Sequence, residues 1–188
     1  MDMKRLSKLK KLYEIMQIRG VTVYAHWSVL LIGALILVGA YDDAGPALAV
    51  LISYFGVILI HECGHMVLAQ RQGCTVWSME LYPIWGITRF SEPYSRFDHC
   101  IIAWGGVFAQ AIIGIPIVIL VEIFGYTRFS PLNAVLGCFG FFSLTMAIFN
   151  LIPVRPLDGA IAWGLLPELF KKRFRRPMKR DPGWRSWR

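Results

Sequence analysis

Long apolar stretches without charge dominate the chain, and they predict membrane-spanning helices. Crossing a bilayer requires about 20 predominantly apolar residues in one helix. Four stretches meet this requirement: Val21 to Tyr41, Ala47 to Ala69, Ile101 to Val121 and Phe129 to Pro153. A fifth stretch, Ala160 to Leu169, is too short and contains Pro167, so it predicts a half-helix or a surface segment.

Between the second and third stretches the pattern changes from helical to strand-like. Residues Val76 to Ser91 are rich in aromatic and β-branched side chains and contain Pro83 and Gly86. They predict one or two short strands in a hairpin at the membrane interface. The hairpin could offer a strand edge to an extended peptide, or its tryptophan and tyrosine side chains could form an interfacial belt. The sequence leaves both uses open.

Composition supports the same setting. Hydrophobic residues make up 56% of the 188 residues and charged residues 17%, against roughly 45–50% and 25% in ordinary soluble domains. We therefore predict an α-helical polytopic membrane protein with about four transmembrane helices, a short interfacial β-hairpin and a C-terminal half-helix.

Lys and Arg are concentrated at the two ends of the chain and give most of the net charge of +8. Because short cytoplasmic segments carry an excess of these residues, we predict that residues 1–20 and 171–188 are basic cytoplasmic segments. Such segments attract anionic lipids, so the charge does not indicate a nucleic-acid partner. The first apolar stretch has no convincing signal-cleavage site before Asp42, and we expect a retained anchor.

Chemistry-bearing residues lie late in the second stretch, in the pentapeptide His61-Glu62-Cys63-Gly64-His65. Residues four apart share one face of a helix, so His61 and His65 can bind the same ion. Glu62 is offset by about 100° from His61, which places its carboxylate beside the ion, where a general base for water belongs. In a soluble helix these histidines could be ordinary core or surface residues. Ionisable groups inside a membrane helix are costly and by default functional, so we predict a catalytic zinc site.

Zinc in catalytic sites usually takes three protein ligands, so a third is required. Asp158 follows the fourth stretch in a segment broken by Pro153 and Pro156, and the predicted topology brings it to the depth of His61. An ordinary helix N-cap is the alternative for Asp158, and it is compatible with metal binding.

Two further histidines are less clearly placed. His26 could reach the site from the first stretch or be bonded to a neighbouring helix. His99 lies at a span boundary, where an interfacial position is expected.

With these motifs in place, the chain resembles the site-2 protease family of intramembrane zinc metalloproteases. The resemblance rests on the pentapeptide, on Asn150 through Gly159 with its Leu157-Asp158-Gly159 core, and on Ala25-His26-Trp27-Ser28. It covers the three spans from Ala47 to about Gly159, and it implies that residues 21–170 form a membrane-embedded metalloprotease domain.

The resemblance implies one zinc ion per chain, held by His61, His65 and Asp158, with Glu62 activating water. It implies hydrolysis of a peptide bond in a transmembrane protein substrate, near the cytoplasmic side. Asn150 matches the family's asparagine, which is thought to hold substrate or a developing oxyanion.

This sequence departs from the family pattern at three positions. Gln110 stands where asparagine or a small polar residue is usual, and it could still bind substrate through its amide. Arg155 replaces an apolar residue; it could pair with Glu62, contact the substrate backbone or extend to the lipid headgroups. Ala160 replaces a second glycine.

Two other function classes are alternatives for this sequence. A catalytically inactive zinc-binding scaffold or chaperone is the alternative to a protease, and the intact Glu62 argues against it. A metal transporter would need a row of polar sites, which four spans with one cluster do not offer. Substrate choice would depend on the spans, the hairpin, the basic tails or a regulatory membrane protein.

Overall fold

The computed structural model describes residues 12–39 and 44–170. A four-stranded sheet and three long helices form its framework. The strands are β1 (Leu12–Ile18), β2 (Val21–His26), β3 (Val76–Leu81) and β4 (Gly86–Phe90). The helices are α1 (Ser28–Gly39), α2 (Ala44–Arg71), α3 (Arg96–Phe124), α4 (Ser130–Asn150), α5 (Gly159–Ala162) and α6 (Leu165–Phe170). Of the predicted basic segments, residues 1–11 and 171–188 lie outside the described residues, as does Asp42, whereas Leu12–Ile18 of the N-terminal segment is strand β1.

Helices α2, α3 and α4 are long and apolar enough to cross a membrane, with 28, 29 and 21 residues. Helix α4 contains a π-helical turn at Cys138–Phe142. Helix α1 is also apolar but has only 12 residues, a length of about 18 Å at 1.5 Å per residue. The helical membrane architecture predicted from the sequence is confirmed, with three long helices and the shorter helices α1, α5 and α6 among the described residues.

The prediction of one continuous helix from Val21 to Tyr41 is wrong for its first part. Val21–His26 is strand β2, and the helix begins only at Ser28. A two-residue turn at Arg19 and Gly20, with φ of 50° and 81°, joins β1 to β2. Positive φ at both central residues suits the twist of an antiparallel hairpin, so the chain enters the sheet before it enters the helix.

The predicted hairpin between α2 and α3 is confirmed as β3 and β4. It joins the first hairpin through β2 and β3, which pair in parallel with Thr22 opposite Ser78, giving the order β1-β2-β3-β4. One face of this sheet packs on α2. The buried residues of that core are Val21, Val23, Ile58, Met66, Met79 and Leu81.

Glycines bring α2 and α3 into close backbone contact. A Cβ atom at Gly64 would meet the carbonyl oxygen of Gly105, and one at Gly105 would meet the backbone of Gly64 and His65. At Gly106 a Cβ atom would collide with the imidazole ring of His61. Three glycines therefore let α3 lie directly against the segment of α2 that carries the two histidines.

Candidate metal centre

Helix α2 presents both histidines of the pentapeptide to one point. His61 and His65 are buried, and their Nε2 atoms lie 3.0 Å apart. The spacing of four residues places them one turn apart on the same face of α2, as the sequence predicted.

Asp158 reaches the same point from the segment after α4. Its Oδ2 atom lies 2.9 Å from Nε2 of His61 and 3.2 Å from Nε2 of His65. Although Asp158 occupies the N-cap position of α5, its side chain makes no capping hydrogen bond. The carboxylate therefore faces the histidines instead of the helix end.

Outer hydrogen bonds determine which nitrogen of each ring faces Asp158. Nδ1 of His65 lies 2.8 Å from the carbonyl oxygen of Ile102, which can only accept, so that nitrogen carries the proton. Nδ1 of His61 donates in the same way to Oε1 of Gln110 at 2.9 Å. In the neutral rings both Nε2 atoms then present lone pairs toward the carboxylate.

Three lone-pair atoms at this separation repel one another unless a proton or a metal cation lies between them. One ligand atom from each of His61, His65 and Asp158 falls within 4.8 Å of the others. Ligands at about 2.0–2.1 Å from a tetrahedral zinc ion are about 3.3 Å apart. The donor set consists of two imidazoles and one carboxylate, and hydrogen bonds at Nδ1 orient both rings. This set fits zinc.

Gln110 lies behind His61 and not at the surface of the site. Its side chain is fully buried, with 0% exposure, and Oε1 accepts from His61. Gln110 is absent from the residues that line the cavity at the site. The substrate-binding role considered for Gln110 has no support in this position, and the contact with His61 favours a role in orienting the ring.

Glu62 lies beside the cluster, and its side chain reaches the sheet. It is 4% exposed, and its Oε2 atom accepts a hydrogen bond of 2.7 Å from Oγ1 of Thr88 on β4. Glu62 is not among the three residues that could hold the ion. A carboxylate next to a metal site without being a ligand has the position of a general base.

A cavity of about 760 Å³ opens at the cluster, and mostly apolar side chains line it. Its polar lining includes His61, Glu62, His65, Asn150 and Asp158. Asn150 therefore faces the same space as the candidate ligands. Strand β4 forms one wall, contributing Gly86, Ile87, Thr88 and Phe90.

The other sequence candidates lie outside the cluster. His26 stays on β2, where Nδ1 lies 2.5 Å from Oγ of Ser28 and the ring stacks on Tyr82. His99 lines the cavity and meets Phe90 edge to face, but it is not one of the grouped ligands. Arg155 is exposed, and no ion pair between it and Glu62 is found among the described residues.

An ion pair joins β4 to β3. The Arg89 guanidinium donates to both carboxylate oxygens of Glu80, with 3.1 Å between Nη2 and Oε2. The hydrogen bond to Glu80 raises the pKa of Arg89 above its usual value. Glu80 also accepts from the Tyr82 hydroxyl at 3.0 Å. These bonds hold the edge strand in register beside the cavity.

Comparison with known proteins gives sequence relatives and matches in fold. A zinc metalloprotease of Methanocaldococcus jannaschii is 28% identical over 151 residues, covering 77% of this chain and 42% of that protein. A Synechocystis sp. protein, provisionally named a zinc metalloprotease, is 35% identical over 112 residues, covering 56% and 27%. The solved structure of the site-2 protease from Methanocaldococcus jannaschii matches with a TM-score of 0.65 at 22% identity, covering 87% of this chain and 73% of that one.

In fold the chain is similar to the site-2 protease of Methanocaldococcus jannaschii, and in sequence it is similar to proteins named as zinc metalloproteases. A scan against protein-family models found no match. The chain spans less than half the length of the two metalloprotease relatives, 42% and 27%. The family resemblance inferred from the pentapeptide and from Leu157-Asp158-Gly159 is confirmed.

Proposed function

We propose that this chain is a membrane-embedded zinc endopeptidase that hydrolyses a peptide bond in transmembrane substrate proteins. The observation that carries the proposal is the convergence of His61, His65 and Asp158 beside a buried Glu62. The sequence relatives named as zinc metalloproteases support the same activity.

Each residue of the site has a distinct part in the reaction. His61, His65 and Asp158 would hold zinc, which supplies a Lewis acid that polarises the scissile carbonyl and lowers the pKa of water. Glu62 accepts a proton from the attacking water as the water oxygen bonds to the carbonyl carbon. The proton then passes to the amide nitrogen as the C–N bond breaks, leaving a carboxyl and an amine. Asn150, facing the cavity, can donate to a substrate carbonyl.

The position of β4 supports a way of presenting the substrate. Within the described residues β4 pairs only with β3, so its other edge is free, and its residues line the cavity. An unwound substrate segment that added to this edge would run past Glu62 and Asp158 as an extended strand. The exposed Trp77 and Trp85 also suit the interfacial belt predicted from the sequence, and the two uses are compatible.

Glu62→Gln separates a protease from a zinc-binding scaffold. Glutamine keeps the shape of the side chain but cannot accept the proton, so cleavage of helix-destabilised transmembrane substrates should fall by about 10²–10⁴-fold. Zinc content should remain near one ion per chain, because Glu62 is not a ligand. Glu122→Gln, an exposed site on α3, is the matched control and should cleave normally.

Metal analysis tests the ligand set in the same preparations. His65→Ala and Asp158→Ala should lose zinc and activity, and a chelator should stop cleavage by the wild type. Full zinc occupancy in Asp158→Ala would mean that Asp158 is not a zinc ligand. If the wild type and Glu62→Gln process substrate equally, the protease proposal is wrong and the chain is better explained as a zinc-binding scaffold.

A further inference from the structure

Thr88, on the edge strand β4, contacts Glu62 through its hydroxyl. Oγ1 lies 2.7 Å from Oε2 of Glu62 and 3.1 Å from the backbone carbonyl oxygen of the same residue. A threonine hydroxyl has one proton to donate, and the shorter distance is typical of an O–H···O bond. The carboxylate is therefore the main acceptor.

Gly86 meets the same side chain two residues earlier on β4. A Cβ atom at Gly86 would lie against the Cγ, Cδ and Oε1 atoms of Glu62. Residues two apart point to the same face of a strand, so one face of β4 offers Glu62 both a hydroxyl donor and the space its carboxylate occupies. Within the described residues, no other hydrogen bond to this carboxylate is found.

A glutamate in a membrane helix has several accessible rotamers, and only some direct its carboxylate to the cavity. Helix α2 fixes the backbone of Glu62. Among the described residues, the contacts that position its carboxylate come from Thr88 and Gly86 on β4. The Glu80 and Arg89 pair in turn holds β4 against β3. The orientation of Glu62 thus depends on the place of the edge strand.

We propose that Thr88 is a positioning residue, which holds the Glu62 carboxylate toward the attacking water and links its orientation to β4. This inference rests on the proposed function, because it concerns how Glu62 acts as a general base. It adds a requirement for activity beyond the metal ligands, namely the correct position of β4. A chain with intact His61, His65, Asp158 and Glu62 would still be slow if β4 were displaced.

Thr88→Val tests the inference, because valine keeps the volume of threonine without the hydroxyl. The expected result is a fall in kcat of about 10–100-fold, part of the contribution of a general base, with KM unchanged. Thr88→Ser, which restores the hydroxyl, should recover most of the lost kcat. Zinc content should equal that of the wild type in both variants. Gly86→Ala, which crowds the same carboxylate, should also lower kcat.

Thr22→Val is the matched control, since Thr22 lies on β2 of the same sheet and does not line the cavity. It should cleave at the wild-type rate. An unchanged kcat in Thr88→Val, or a raised KM with kcat unchanged, would overturn the inference; the second result would mean that Thr88 contacts substrate.

Thr88→Ala carries the same expectation if the valine variant is not recovered. Failure of both variants to fold with wild-type zinc content would make Thr88 a structural residue and also overturn the inference. Failure of the wild type itself to cleave any substrate would instead count against the proposed function. The two failures are therefore distinguishable.

Discussion

At the scale of single residues, acceptors behind the two histidines decide the character of the metal site. Ile102 provides a backbone oxygen to His65, while Gln110 provides a side-chain oxygen to His61. Backbone oxygens cannot be removed by substitution, so Gln110 is the position where ring orientation can be tested. The Nε2 atom of Gln110 has no partner among the described residues, and the side chain is retained in the core at that cost.

Gln110→Met should weaken zinc binding. Methionine fills a similar volume but leaves the buried Nδ1–H of His61 without an acceptor, so the ring loses its fixed tautomer and orientation. Loss of an outer hydrogen bond of this kind typically raises the zinc Kd by about 10–100-fold. Competition with a chromophoric chelator on the purified protein gives the Kd directly.

Gln70→Met is the control for this measurement. Gln70 lies later on α2 and does not line the cavity, so its replacement should leave the Kd unchanged. An unchanged Kd in Gln110→Met would mean that Gly106 and the packing of α3 alone orient His61.

The sequence predicts the ligands more readily than their supports. The spacing of His61 and His65 is local and follows from helix geometry, and the broken backbone around Asp158 indicates a third ligand. Gln110 and Thr88 meet the site only because α3 and β4 pack beside α2, 49 and 26 residues away in the chain. Long-range packing of this kind leaves no periodic signal in the sequence.

At the scale of elements, the close packing of α2 on α3 places the two histidine ligands against the residues that orient their rings. The contact depends on Gly64 and Gly105, whose missing side chains let one backbone rest on the other. Small residues at helix interfaces serve this purpose in membranes. Moving the helices apart would carry His65 away from Ile102 and His61 away from Gln110.

Gly105→Ala should destabilise this interface and weaken zinc binding together. The added methyl group would meet the Gly64 carbonyl at 2.5 Å, a contact that only backbone movement relieves. Overpacking of this kind costs about 1–3 kcal/mol. Thermal unfolding should therefore shift to lower temperature, and zinc occupancy at limiting zinc should fall.

Gly137→Ala provides the comparison, because a Cβ atom there has only an ordinary contact of 3.9 Å with the Tyr126 hydroxyl. Its Tm should be equal to or above that of the wild type, as alanine favours helix more than glycine does. A Gly105→Ala protein with unchanged Tm and zinc occupancy would show that α2 and α3 can separate without moving the ligands.

Strand prediction succeeded where turn residues separate two strands and failed where a strand runs into an apolar helix. Pro83 and Gly86 marked the hairpin of β3 and β4. In contrast, β2 continues at His26 almost directly into the apolar helix α1, so the apolar pattern does not separate the strand from the helix. Its parallel partner β3 is more than 50 residues away, and such pairing is not visible in local patterns.

At the scale of the whole molecule, the sheet constrains how the chain crosses the membrane. Strands β2 and β3 pair directly, so the ends of the segment between them lie on the same side of the helices. That segment contains α1 and α2, and α2 is long enough to cross. The chain must therefore also travel in the opposite direction before α2 begins, and α1 is the element that precedes it.

We therefore expect four crossings with both termini in the cytoplasm, as the distribution of Lys and Arg favours. Reporter fusions after Arg188 and within residues 42–45 should lie on opposite sides, and a fusion within Gly125–Arg128 should agree with the second. If α1 did not cross, residues 42–45 would share the side of the N-terminus, and the three remaining crossings would place Arg188 opposite them too. The side of the N-terminus then distinguishes four crossings from three. An N-terminal reporter on the side of Arg188 fits four crossings, whereas one on the side of residues 42–45 would also contradict the pairing of β2 with β3.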